Sequence, residues 1–290
     1  VIRRALVIAN PIAGGGRARR LAPALAAALQ AHGCAAEVVL TQGAGEAAAR
    51  ARRAGGEPWD ALIAVGGDGT VNEIVNGMPD PGRPLGVLPV GTANVLACEF
   101  GLPSRPAAAA AVIAAGRTRR HALGIAGGRR FLLFCGAGVD GAVVARLHAV
   151  RTGTLGKRKW LAPILHVVRN WPRFSLTATL ADGERLEGLS SVLVTRVRNY
   201  GGWLWLPRDV DAARDALFVL AFRQRSRLAW MAQGARGALR CMRAGPRLLV
   251  RATTAVRVDG AAPYQVDGDL GGDSPVAIQL APVAANLLVP

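Results

Sequence analysis

The chain has 290 residues, 51% of them hydrophobic and 19% charged. That length suits one large domain or two ordinary ones, and that composition excludes disorder over most of the chain. Thirty-six Lys and Arg against 19 Asp and Glu leave a formal charge of +17, which favours anionic partners: nucleotide, nucleic acid or an acidic membrane surface.

Cys34, Cys98, Cys135 and Cys241 are far apart and form no C-x-x-C pair, so neither a disulfide framework nor a structural zinc site is expected. A reducing cytoplasm fits best. No apolar run approaches the roughly 20 residues of a membrane helix. The opening Val1–Ala9 is too short for a signal peptide and ends at Asn10-Pro11, so it reads as a strand.

In chain order, Ala5–Ala9 reads as a strand and Ala18–Ala31 as a helix. Glu37–Leu40 is a second strand and Ala44–Ala54 a second helix. Ala61–Val65 is a third strand, Thr70–Asn76 opens a helix, and Leu85–Leu88 is a fourth strand. Short apolar strands alternating with helices predict a parallel α/β sheet, which binds ligands at the carboxyl ends of its strands. From about residue 120 the pattern turns mainly β. Phe131–Phe134, Phe174–Leu180, Ser191–Val197, Leu217–Phe222 and Leu248–Val258 read as strands, and Ala181-Asp182-Gly183-Glu184 as a hairpin turn. Trp160–Trp171 and Ser226–Arg243 read as helices. A domain boundary is expected near residues 116–127, where Gly116, Gly124, Gly127 and Gly128 cluster.

Three glycine-rich turns each follow a strand and precede a helix. Gly66-Gly67-Asp68-Gly69-Thr70 is the strongest. Its glycines allow close backbone approach, and the helix behind it offers free N–H groups to phosphate. Asp68 beside phosphates implies either an intervening Mg²⁺ or a carboxylate that orients a donor. The alternative is a glycine turn whose Asp bonds backbone. The other two turns are Asn10-Pro11-Ile12-Ala13-Gly14-Gly15-Gly16-Arg17 and Pro89-Val90-Gly91-Thr92-Ala93-Asn94. Three on one sheet edge point to a nucleotide site. The first lacks the Gly-Lys-Ser/Thr ending of a Walker A loop.

GGDGTVNEIVNG (Gly66–Gly77) followed by LPVGTANVLACEFGLP (Leu88–Pro103) resembles the catalytic domain of the diacylglycerol kinase and sphingosine kinase superfamily, and in particular its soluble bacterial lipid kinases. NPIAGGGRA resembles the family's first nucleotide loop, with Ala13 in place of the usual serine. GAGVDGAVV (Gly136–Val144) and VDGD (Val266–Asp269) follow in the right order.

The resemblance implies two domains. One is an N-terminal parallel-sheet nucleotide-binding domain over residues 1–122, and the other a C-terminal β-sandwich lipid domain over 123–284. A last segment, 285–290, would pack back on the first domain. It implies ATP and Mg²⁺ as cofactors. ATP would be held by Asn10, Pro11, Ile12, Ala13, Gly14, Thr41, Gly66, Gly67, Asp68, Gly69, Thr70, Val71, Asn72 and Thr92, with Asp68 and Asp267 catalytic. Asp267 would be the general base, with Asp269 where the pattern usually has Glu. By composition alone Asp267-Gly268-Asp269 is a hairpin turn.

Asp215-Ala216-Leu217-Phe218-Val219 resembles the family's DGLFDV segment. That implies a Mg²⁺ site on the Asp215 carboxylate and the Ala212 and Leu217 carbonyls. Ala216 replaces Gly and Val219 replaces the second Asp, which leaves a weakened or missing site.

The implied activity is transfer of the ATP γ-phosphate to the hydroxyl of a diacylglycerol or related lipid alcohol, at the inner face of the membrane; a homodimer stays open. Arg146, Arg151, Lys157, Arg158, Lys159, Trp160, Arg169, Trp171 and Arg173 flank an apolar stretch. They form either a docking surface for an anionic membrane or a solvated cationic face over core tryptophans. His32, His121, His148 and His166 show no ligand spacing.

Two competing functions are weaker. In NAD kinases an Asn-Glu element lies well downstream of GGDGT, whereas Asn72-Glu73 follows it at once here. A nucleic-acid-binding module would suit the charge, but there is no RNP-like aromatic pair, zinc-finger spacing or helix-turn-helix signature, so no nucleic acid is expected.

Overall fold

The computed structural model describes residues 2–150, 160–224 and 226–290. It divides into two compact units, Val1–His121 with Pro282–Pro290, and Ala122–Ala281.

The first unit alternates strand and helix: β1 (Arg4–Ala9), α1 (Arg17–Ala31), β2 (Ala35–Leu40), α2 (Glu46–Arg53), β3 (Ala61–Gly66), α3 (Asp68–Gly77), β4 (Pro84–Pro89), α4 (Val95–Phe100) and α5 (Pro106–Ala115). The strands lie in the order β2-β1-β3-β4, all parallel. Every residue of β3 is buried, as expected of a central parallel strand covered on both faces. Ala18, Ala22, Leu25 and Leu29 recur at helical spacing on α1. They join Val7, Ile63, Val65, Leu88 and Ile113 in one apolar core.

The chain continues through β5 (Thr118–Ala126), β6 (Arg129–Phe131), β7 (Phe134–Gly138), α6 (Val139–Val150) and α7 (Leu161–Arg169). Next come β8 (Leu176–Leu180), β9 (Arg185–Leu189), β10 (Ser191–Thr195), the short β11 (Asn199–Tyr200) and β12 (Leu204–Trp205), β13 (Leu217–Phe222) and α8 (Arg227–Ala238). It closes with β14 (Leu248–Thr253), β15 (Ala255–Asp259), β16 (Pro263–Val266), β17 (Asp269–Asp273) and β18 (Val276–Leu288). In the second unit β14-β13-β10-β7-β16-β17 form one antiparallel sheet, and the start of β18 pairs antiparallel in the order β18-β15-β8-β9. Inward residues of both sheets, among them Cys135, Val194 and Val219 from one and Leu176, Val256 and Ile278 from the other, form a single apolar core. The unit is therefore a β-sandwich. The end of β18 belongs to the first unit, where Asn286 and Leu287 pair parallel with Pro84 and Leu85 of β4.

Three elements differ from the sequence expectation. The Leu248–Val258 run is two strands in two sheets. The Thr253 hydroxyl donates to the Ala255 carbonyl at 2.8 Å and so turns the chain between them. The Phe131–Phe134 strand is interrupted, because the amides of Leu132, Leu133 and Phe134 donate to the Asp267 carboxylate. The helix expected over Ser226–Arg243 spans only Arg227–Ala238, with Ser226 capping it by accepting from the Ala229 amide at 3.3 Å. The two units divide between His121 and Ala122, inside the 116–127 range where the boundary is expected, although β5 runs through that point and of the four glycines only Gly124 lies in it.

Candidate nucleotide loops and the Asp267 turn

The three glycine turns meet at the carboxyl edge of the first unit's sheet. The Asn10 amide donates to the Val65 carbonyl at 3.0 Å, and the Val90 amide to the Gly66 carbonyl at 2.8 Å. The backbones of Gly67 and Gly91 touch. A Cβ on Gly67 would lie 3.2 Å from the Gly91 Cα, and one on Gly91 would collide with the Gly67 Cα. Arg17 links the first turn to the third: its Nε donates to the Gly14 carbonyl at 3.0 Å and its NH2 reaches the Val90 carbonyl at 3.5 Å. The sequence places Arg17 at the end of the first turn, and its reach to the third emerges from the fold. Thr41 is held near the same edge, its amide donating to the Ala9 carbonyl at 2.9 Å.

Asn10, Pro11, Ala13, Gly14, Gly67, Asp68 and Thr92 are partly exposed there, and Ile12 and Gly69 are open to solvent. Thr41, Gly66, Thr70, Val71 and Asn72 are buried beneath. Gly67, at the N-cap of α3, has no side chain to bond the first-turn amides, and Asp68 stands in that first turn.

Asp68 is the carboxylate among the glycine turns. Its two oxygens accept from the Val95 amide at 3.0 Å and the Leu96 amide at 3.2 Å. It therefore caps α4 and fixes the third turn against the second. Burial pushes its carboxyl above the ordinary range, and these amide bonds pull the other way. Among the described residues no cluster of three His, Cys, Asp or Glu could hold a metal.

In the second unit, Asp267 and Gly268 both have positive φ, 48° and 89°, and Val266 pairs with Asp269. This is a two-residue Asp-Gly hairpin. The hairpin expected from composition is present. The turn points the Asp267 carboxylate at the interrupted strand, where Leu132, Leu133 and Phe134 amides donate at 2.8, 3.0 and 2.9 Å. Beside it runs a polar chain that residue-by-residue reading missed. Tyr200 donates to Asp140 Oδ1, Gln265 donates to Asp140 Oδ2 at 2.8 Å, and the Gly268 amide donates to Gln265 Oε1 at 2.7 Å. The available signal was GAGVDG: a Cβ at Gly136 would collide with the Asp140 carboxylate, so the glycine makes room for the acid. Burial raises Asp140, and it raises Tyr200 well above the usual phenol range with the Asp140 charge adding to it.

Asp215 is exposed, and the Ala212 carbonyl accepts from Arg196 NH2 at 3.4 Å. Val219 is packed in the apolar core. Of the basic, aromatic stretch, Arg151, Lys157, Arg158 and Lys159 lie outside the described residues. Trp171 is half-buried against Trp230, ring centroids 5.9 Å apart, while Leu161 and Leu165 of α7 are 59% and 55% exposed. Among the described residues no helix is long and apolar enough to cross a membrane.

Comparison with known proteins adds to this geometry. Residues 4–126 match the diacylglycerol kinase catalytic domain family. A diacylglycerol kinase of Staphylococcus carnosus is 27% identical over 285 residues, covering 94% of this chain and 90% of that protein. One from Staphylococcus epidermidis is 38% identical over 138 residues, 47% of this chain and 44% of that protein. A crystal structure of a diacylglycerol kinase from Bacillus anthracis superposes with a TM-score of 0.75 at 20% identity, covering 100% of this chain and 97% of that one. A second structure from that organism gives 0.80 at 21%, covering 100% and 98%. At such identities the superpositions establish the two-domain fold alone.

Proposed function

Since residues 4–126 match the diacylglycerol kinase catalytic domain family, we propose that the protein transfers the γ-phosphate of ATP to the hydroxyl of a diacylglycerol or a related lipid alcohol. The observation that carries this reading is the convergence of three glycine turns on one sheet edge, with Arg17 beside them. Backbone amides at the α3 N-terminus and the Arg17 guanidinium would hold the phosphates. Gly69, open to solvent, would let them approach closely. Magnesium bound on the phosphates would neutralise the charge that develops during transfer. Asp68 would meet its hydration shell while keeping the third turn in place.

Asp267 would accept the proton of the attacking lipid hydroxyl. Three main-chain amides orient its carboxylate, so little reorganisation is needed when the hydroxyl arrives. Most of the rate on this reading comes from positioning and charge neutralisation. A lipid acceptor must be drawn from a bilayer. Leu161 and Leu165 of α7, with Arg169 and Arg173 following, give the second unit an apolar edge with cations that suits an anionic membrane surface.

The test is transfer from γ-labelled ATP, with Mg²⁺, to diacylglycerol, monoacylglycerol, sphingosine, ceramide and undecaprenol in mixed micelles, with NAD as a soluble control. Label in one lipid is the expected result and names the acceptor. Label in NAD alone, or no binding of ATP, overturns the proposal.

A further inference from the structure

Arg196 is the largest side chain among the described residues that are fully buried, at 0% exposure. It is the first residue after β10, and the register that pairs Thr195 with Phe218 sets it beside the turn leading into β13. Its guanidinium donates to three carbonyls: Nε to Ala122 at 2.9 Å, NH2 to Ala212 at 3.4 Å, and NH1 to Ala216. Two of these acceptors belong to the 212–217 segment, where the sequence pattern implies a divalent metal.

The remaining donors fit a metal poorly. The Ala212 carbonyl faces a guanidinium, Asp215 is exposed, and Val219, standing where the pattern has a second Asp, is buried among aliphatic side chains. A hard divalent ion needs six or more oxygens with charge to balance it. One carboxylate has gone from the pattern here, and a guanidinium carries one positive charge where a divalent ion carries two. The two changes compensate. Arginine is permanently ionised, and its fork of donors can satisfy several carbonyls that would otherwise be buried without partners.

We propose that Arg196 takes the place of a divalent cation in this segment, so that the second unit carries its structural cation covalently and needs no metal there. The claim is independent of the kinase reading and of the magnesium that would accompany ATP.

The test is thermal unfolding of the full chain without nucleotide, in excess Mg²⁺ or Ca²⁺ and in EDTA, for the wild type, Arg196→Lys, Arg196→Met and Asp215→Ala. The midpoint of the wild type should not depend on the cation, or should depend on it equally in Asp215→Ala. Arg196→Lys keeps the charge and should lose several degrees. Arg196→Met keeps the length, strands the carbonyls and should lose more. A cation-dependent rise that Asp215→Ala abolishes would overturn the proposal, and so would an Arg196→Met variant at least as stable as Arg196→Lys. Should neither Arg196 variant fold, the wild-type titration against Asp215→Ala still decides.

Discussion

Gly69→Ala separates a loop shaped for folding from a loop shaped for a ligand. Gly69 is the second residue of α3, is exposed, does not have a positive φ, and a Cβ built there meets no atom within 4 Å. The folded chain therefore has room for the methyl, and alanine is favoured over glycine in helices by about 0.5–1 kcal/mol. The unfolding midpoint should stay level or rise slightly. A bound phosphate changes the balance, because the space the methyl enters is space the ligand would use. Displacing the reacting group by about 1 Å costs on the order of 10²-fold, or roughly 2.7 kcal/mol.

The expected result is a stable protein whose ATP affinity by calorimetry, and whose kcat/KM, fall by about that factor. Gly91→Ala is the counterpart. Its Cβ would run into Gly67 backbone, so it should lose about 1–3 kcal/mol of stability before any ligand is added. A Gly69→Ala variant that binds ATP as the wild type does would refute the phosphate-cradle reasoning.

Asp68→Ala should abolish turnover and lower stability by about 0.5–2 kcal/mol through loss of the α4 cap, read by urea denaturation; full turnover in a folded variant removes Asp68 from the site. Asp267→Asn should cut turnover while calorimetric ATP affinity stays near normal; lost ATP binding would make its role structural. Asp140 should titrate above the ordinary carboxyl range by carbon-detected NMR, and higher still in Tyr200→Phe, because the Tyr200 hydrogen bond lowers it. The folded chain then keeps a proton that the unfolded chain has released, so this group's contribution to stability falls as pH rises from the ordinary carboxyl value through the raised one. A downward move in Tyr200→Phe would contradict the assignment.

The glycine turns and the alternating elements of the first unit could be read directly, because each is local. A buried parallel strand is a short apolar run, and the turn after it needs glycine wherever it lies in space. The lipid-kinase resemblance rested on the same contiguous segments. What the side chains in those segments touch could not be read. Asp68 caps a helix 27 residues on, and Asp267 holds three amides more than 130 residues earlier in the chain. Both depend on pairings that local sequence does not encode. The split of Leu248–Val258 between two sheets has the same origin, since an apolar run is alike whether one sheet or two receives it. Arg196 is the sharpest case. In sequence it is one of many arginines, and only the β10–β13 register buries it against the 212–217 segment, where it donates to the Ala212 carbonyl that the sequence pattern would assign to a metal and to the Ala216 carbonyl nearby. Sequence determined where the glycine turns fall. Tertiary packing decided which charges stand beside them and which are locked in the core, because burial and partner choice are properties of segments distant in the chain.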